Sequence, residues 1–262
     1  MDIGLSSASF YPHINTEDSI GQMKKLNFNC GEIFLNTISE YEEDFIKILN
    51  EKRIENAFNI YSVHSFSSAF EPYLFDGYKR RAQDMMKNFT KLCKAASILG
   101  ATCYTFHGLR YEPFENMNKK RVLDGFNELV YIAHENGIKL AQENVSWCMS
   151  SNLEYLKFLK DTCKYPIYFT LDIKQAYKAG ISPYKYIEVM GDRIINFHVN
   201  DRDEKHICLL PGKGSVNYLD LVNKLHGTGY NGIGIIEVYN ENYKNFDELT
   251  QAKEFLDSLI NL

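Results

Sequence analysis

Four segments of this sequence run apolar and then stop on a side chain that can bind a metal or move a proton. IKLAQE ends on Glu143, PIYFTLD on Asp172 and GIGIIE on Glu237, while RIINFHVND carries His198 near its end. Carboxylate oxygens suit hard divalent cations, and one imidazole shifts the preference toward Mn, Co or Zn. Carboxylates are also general bases and acids. Read as strands, alternate residues share a face, so Ile195, Phe197 and Val199 form one side and Ile194, Asn196 and His198 the other. The Ile195 side suits packing against helices, and the other ends in an imidazole. By the same parity Glu143 goes with Ala141, Asp172 with Thr170 and Glu237 with Ile235. Neighbouring strands lie roughly 4.8 Å apart, so side chains from four consecutive tips can converge on one ion. A single acid after a strand can simply cap the next helix, but capping does not ask for ligand-type residues at four tips in succession.

The elements that would carry these residues alternate along the whole chain. Strands are expected at residues 2–8, 30–35, 58–65, 101–107, 138–143, 166–172, 193–198 and 232–237. Helices are expected at 16–27, with Thr16 as N-cap, then at 41–53, 78–99, 118–136, 152–163, 184–190, 217–226 and 247–259. Gly100 and Gly137 stand where helices stop. Loops are expected at 66–77 and 202–215. Strict alternation implies a parallel sheet. Eight strand–helix pairs imply an α/β fold, a closed (β/α)8 TIM barrel, with the site at the C-terminal ends of the strands.

The 262 residues fit one such barrel, which takes about 250. The expectation is a single domain over 1–262, since no linker or low-complexity tract divides it. Hydrophobic residues make up 45%, enough for a sizeable core. The net charge of −5, from 29 basic and 34 acidic residues, argues against a dedicated nucleic-acid binder. None of the six cysteines forms a C-x-x-C pair, which reads as reduced thiols. No run reaches the ~18 apolar residues of a membrane span, and the N-terminus lacks a basic leader pattern. The expectation is a soluble cytoplasmic protein with no membrane partner.

Taken together, His64 in YSVHS, His107 in TFHG, Glu143 in QENV, Asp172 in LDIKQA, His198 in FHVNDRD, the turn LLPGKG and Glu237 in IIEVY resemble the xylose isomerase-like TIM-barrel superfamily. The resemblance is to its sugar phosphate isomerase/epimerase families, which share a fold with endonuclease IV-type AP endonucleases. It runs from the first strand to the eighth. It implies one divalent metal ion (Mn, Co, Mg or Zn), held by Glu143, Asp172, His198 and Glu237. It implies that Glu143 and Glu237 also exchange protons with a small carbohydrate substrate, and that the protein can pair as a homodimer. His64 and His107 fall where the repair branch binds further zinc ions and the sugar branch contacts substrate.

Two departures weigh against the repair branch. Its histidine three residues after the sixth-strand aspartate is here Gln175, and another expected histidine position is Cys208, with His206 two residues earlier. A three-zinc site is therefore incomplete, while a one-ion site is intact. Sugar isomerisation suits these groups independently. Removing a proton beside a carbonyl leaves an enediolate, whose charge a cation stabilises, with carboxylates as base and acid. A lyase dehydrating a keto-inositol would use the same groups.

Other candidates have two readings each. His64 and His107 are substrate contacts or satisfied barrel histidines. Gln175 holds a substrate hydroxyl or is solvated. Arg202 meets substrate and Lys213 a phosphate, or both decorate a surface loop. Glu32 orients a histidine or contacts substrate. Phe66, Phe70, Tyr73 and Phe75 form a lid or pack their loop onto the rim.

Overall fold

The computed structural model describes residues 1–260. Eight strands, β1 (Ile3–Ser6), β2 (Cys30–Leu35), β3 (Asn59–Ser65), β4 (Cys103–Phe106), β5 (Lys139–Glu143), β6 (Tyr168–Asp172), β7 (Ile194–Val199) and β8 (Gly234–Ile236), pair in parallel and in order. β8 returns to β1 and closes the barrel, as the alternation implied. The strands are almost wholly buried because helices cover one face and barrel neighbours the other. Phe106, Phe169, Phe197 and Leu5 are fully buried in the core that joins barrel to helices.

The helices are α1 (Thr16–Lys25), α2 (Glu43–Glu55), α3 (Lys79–Ile98), α4 (Lys119–Glu135), α5 (Leu153–Thr162), α6 (Ile173–Lys178), α7 (Pro183–Met190), α8 (Tyr218–His226) and α9 (Asp247–Ile260). None of the described helices is long and apolar enough to cross a membrane. None of the six cysteines is bonded to another.

The structure corrects three local expectations. Thr16 does not cap α1: Asn15 holds that position without a side-chain cap, and the Thr16 hydroxyl donates to Glu40 instead. The chain after β6 contains α6, a helix absent from the sequence reading because it is a six-residue turn with no long apolar period. A register shift between β6 and β7 pairs Phe169 with Ile194 and Thr170 with Asn196. The extra residue breaks the alternation, so Ile194, not Ile195, joins Phe197 and Val199 in the core, and Ile195 is only half-buried.

A second shift, between Gly31 and Glu32, lies in β2. A side chain at Gly31 would stand 2.2 Å from the Leu5 carbonyl oxygen, so only glycine lets β1 and β2 approach there. The next residue, Glu32, meets Ser62, Thr105 and His198 inside the barrel.

Candidate metal centre

Strand register places the four tip residues together. Asp172 of β6 lies directly beside His198 of β7, and Glu143 of β5 pairs with Thr170, two residues below Asp172. Glu237 directly follows β8. One ligand atom from each of Glu143, Asp172, His198 and Glu237 lies within 4.8 Å of all the others. Ligand bonds of about 2.0–2.2 Å leave donor atoms roughly 3–4.4 Å apart, so the spacing fits a single ion.

The His198 ring is set from below. Its Nε2 stands 3.1 Å from Glu32 Oε2, which also accepts from the Ser62 hydroxyl at 2.7 Å and the Thr105 hydroxyl at 3.0 Å. An Nε2–H donated to Glu32 turns the Nδ1 lone pair upward. Nδ1 then faces Glu143 Oε1 at 3.5 Å, Glu237 Oε2 at 3.5 Å and Asp172 Oδ2 at 3.7 Å. Acceptors turned on one another need a cation or a proton between them. Asp172 Oδ2 and His198 Nδ1 are buried without a hydrogen-bond partner. That is what an ion's ligands look like before other groups claim them.

Charge and burial oppose each other here. Burial draws an imidazole down, but the Glu32 and Glu237 carboxylates outweigh it and hold His198 well above the usual histidine range. Burial would raise Glu143, but the His107, His198 and His64 rings around it hold it well below the usual carboxylate range. Glu237 is likewise held low, by Lys174 and His198 against burial. For Asp172 burial prevails over Lys174 and raises it.

Above these groups opens a cavity of about 340 Å³ at the C-terminal mouth of the barrel. Glu143, Glu237, His64, His107 and Gln175 line it, with Tyr11, Phe34, Phe66 and Tyr239 as aromatic walls. His107 Nε2 lies 2.7 Å from Glu143 Oε2 and His64 Nε2 lies 3.6 Å from it. Gln175 is fixed rather than solvated: its Oε1 accepts from the Ser146 backbone N–H and hydroxyl. The 66–77 loop splits. Phe70 and Phe75 are buried as rim packing, whereas Phe66 is 54% exposed and lines the cavity.

Three of the other candidates lie off the cavity lining. Glu32 is fully buried beneath His198, contacts that histidine and does not line the cavity. Arg202 is drawn aside by stacking, its guanidinium 4.2 Å from the Tyr177 ring centre, and it does not line the cavity. Lys213 is exposed on a turn whose amides are already occupied. Asp201 accepts from the N–H groups of Arg202, Gly212, Gly214 and Val216, filling the nest a phosphate would need. His206 pairs with Asp203 on the surface, away from the four tip residues.

One residue that sequence reading passed over belongs here. Lys174 is buried, lines the cavity and donates to Glu237 Oε2 at 3.0 Å. The signal was its place two residues after Asp172, but a lysine opening a helix ordinarily reads as solvated. Behind His107, the buried Glu71 accepts from the backbone N–H groups of His107 and Gly108 and from the Tyr104 hydroxyl.

A parallel eight-stranded barrel with acids and imidazoles gathered at its C-terminal mouth defines a class of small-molecule enzyme scaffold. The chain belongs to the xylose isomerase-like TIM barrel family, whose model matches residues 20–261. An uncharacterized protein of Methanocaldococcus jannaschii, MJ1311, is 26% identical, the match covering 100% of this chain and 90% of that one. Among solved structures, a D-tagatose 3-epimerase-like protein superposes with a TM-score of 0.82 at 23% identity, covering 100% of this chain and 97% of that chain. The IOLI protein, solved with a bound zinc atom, gives a TM-score of 0.81 at 18% identity, covering 100% and 98%.

Proposed function

We propose that this protein is a divalent-metal-dependent epimerase or isomerase of a small sugar, working as one (β/α)8 domain. The observation that carries the reading is the convergence of Glu143, Asp172, His198 and Glu237 on one point, with Glu143 and Glu237 also lining the cavity. Those four would hold the ion, and their oxygen-rich set suits Mn, Co, Mg or Zn. When bound, such an ion supplies positive charge to the sugar's neighbouring carbonyl and hydroxyl oxygens. The epimerase-like neighbour and the zinc-bound IOLI structure support the same class.

In this reading Glu143 and Glu237, both lining the cavity, take a proton from a carbon beside the carbonyl and return one. His107, 2.7 Å from Glu143, steadies that carboxylate and meets the sugar with His64. Gln175 offers its amide to a hydroxyl. The aromatic walls stack on the sugar's apolar faces and keep water out. An uncharged sugar is favoured over a sugar phosphate. Among the described residues lining the cavity the one lysine or arginine is Lys174, already held by Glu237, while Arg202 and Lys213 are turned elsewhere.

The test is metal analysis followed by assay of a ketose panel in deuterated water. One ion per chain and incorporation of solvent deuterium at a substrate carbon are expected. Glu143→Gln and Glu237→Gln should each lower turnover by roughly 10²–10⁴-fold with unchanged circular dichroism. Full activity in both variants would remove the proton-transfer roles.

A further inference from the structure

Lys174 sits where a positive charge is hardest to accommodate beside a metal. It is the second residue of α6, two positions beyond Asp172, and is only 2% exposed. Its Nζ lies 3.0 Å from Glu237 Oε2 and 3.7 Å from Asp172 Oδ2, two of the four tip residues. The Tyr239 ring, centred 4.7 Å from Nζ, closes its other side. Among the described residues, Glu237 is the one hydrogen-bond acceptor of this three-donor group.

Three carboxylates, Glu143, Asp172 and Glu237, crowd together at the strand tips, and Glu143 and Glu237 line the cavity. Burying three like charges without compensation is prohibitive. A divalent ion cancels two of them and an ammonium the third. The ammonium and the ion seek the same oxygens, and they repel each other across a buried site where charge interactions are strong.

We infer that Lys174 is an internal counter-ion of the metal centre, holding Asp172 and Glu237 when no ion is bound and weakening the hold on the ion when one is. The inference rests on the metal-centre reading above. It makes the ion exchangeable: the barrel keeps its carboxylate cluster folded after metal is lost, and loading follows the free-metal concentration.

Mn²⁺ titration of the full-length chain, stripped with chelator and followed by calorimetry, tests this. Lys174→Met should bind Mn²⁺ at least tenfold more tightly than the wild type, and its stripped form should melt at a lower temperature. Lys174→Arg, which keeps the charge, should bind within a few-fold of the wild type. If Lys174→Met does not fold, Lys174→Gln carries the same expectation. Saturable wild-type binding that is unchanged or weaker in the neutral variants overturns the counter-ion assignment and leaves the metal centre standing. Binding by the neutral variants alone supports the assignment and counts against a native Mn²⁺ site. Absence of binding in every form overturns both.

Discussion

Glu71 shows how a single buried side chain reports on the site without touching its chemistry. Burial pushes its carboxyl up to about 7 from an ordinary value near 4.5, despite the His107 ring, the Tyr104 hydroxyl and the backbone N–H groups of His107 and Gly108. A group raised in the folded state binds its proton more tightly there than in the unfolded chain. Its contribution is therefore fully present below pH 4.5 and declines as pH rises toward 7. The decline amounts to about 3 kcal/mol at the conversion of 1.36 kcal/mol per unit. Urea melts of wild type and Glu71→Gln between pH 4 and 8 should differ by that slope, with the variant flatter. Parallel curves would show that Glu71 ionises without cost. Glu32 works from the opposite side of the site, below His198, and its hydrogen bond selects which imidazole nitrogen faces the carboxylates.

At the scale of elements, the β6–α6 junction carries two duties on one residue. Asp172 Oδ1 accepts from the Gln175 backbone N–H and caps α6, while Oδ2 turns to the metal-candidate cluster. The sequence posed helix cap or ligand as alternatives; Oδ1 makes the cap, and Oδ2 is left for the ion proposed above. Asp172→Asn keeps a good cap and loses the charge. Asp172→Ala loses both. We expect the stripped Ala variant to be less stable than the stripped Asn variant by about 1 kcal/mol, with Mn²⁺ binding lost from both. Equal stability of the two would mean that the cap contributes nothing. The junction also explains why α6 positions Lys174 and Gln175: a helix starting directly at the strand tip turns its first residues back over the barrel mouth.

For the whole molecule, a closed barrel makes the strand tips one structure. β5 through β8 supply the four tip residues from points spread over about a hundred residues of sequence, and closure fixes their spacing. An ion bound across them stabilises only the closed form. Mn²⁺ at a hundred times its dissociation constant should therefore raise the unfolding free energy by about 2.7 kcal/mol, and chelator should reverse it. A melting curve indifferent to metal would argue against the shared centre.

Much of this was readable before any coordinates. Alternating apolar runs and helix stops dictated a parallel eight-stranded barrel, because each periodicity admits one way of burying its apolar face. Glu143, Asp172, His198 and Glu237 stood out because each closes or nearly closes such a run. Local pattern could not register the β6–β7 bulge that exchanged Ile194 for Ile195, nor the short α6. It could not tell that Arg202 stacks on Tyr177, that Asp201 fills the glycine-rich turn, or that Lys174 is buried. Those outcomes depend on which groups meet across the closed barrel. A side chain's type is written locally, but its burial and partner are properties of distant segments brought within a few ångströms.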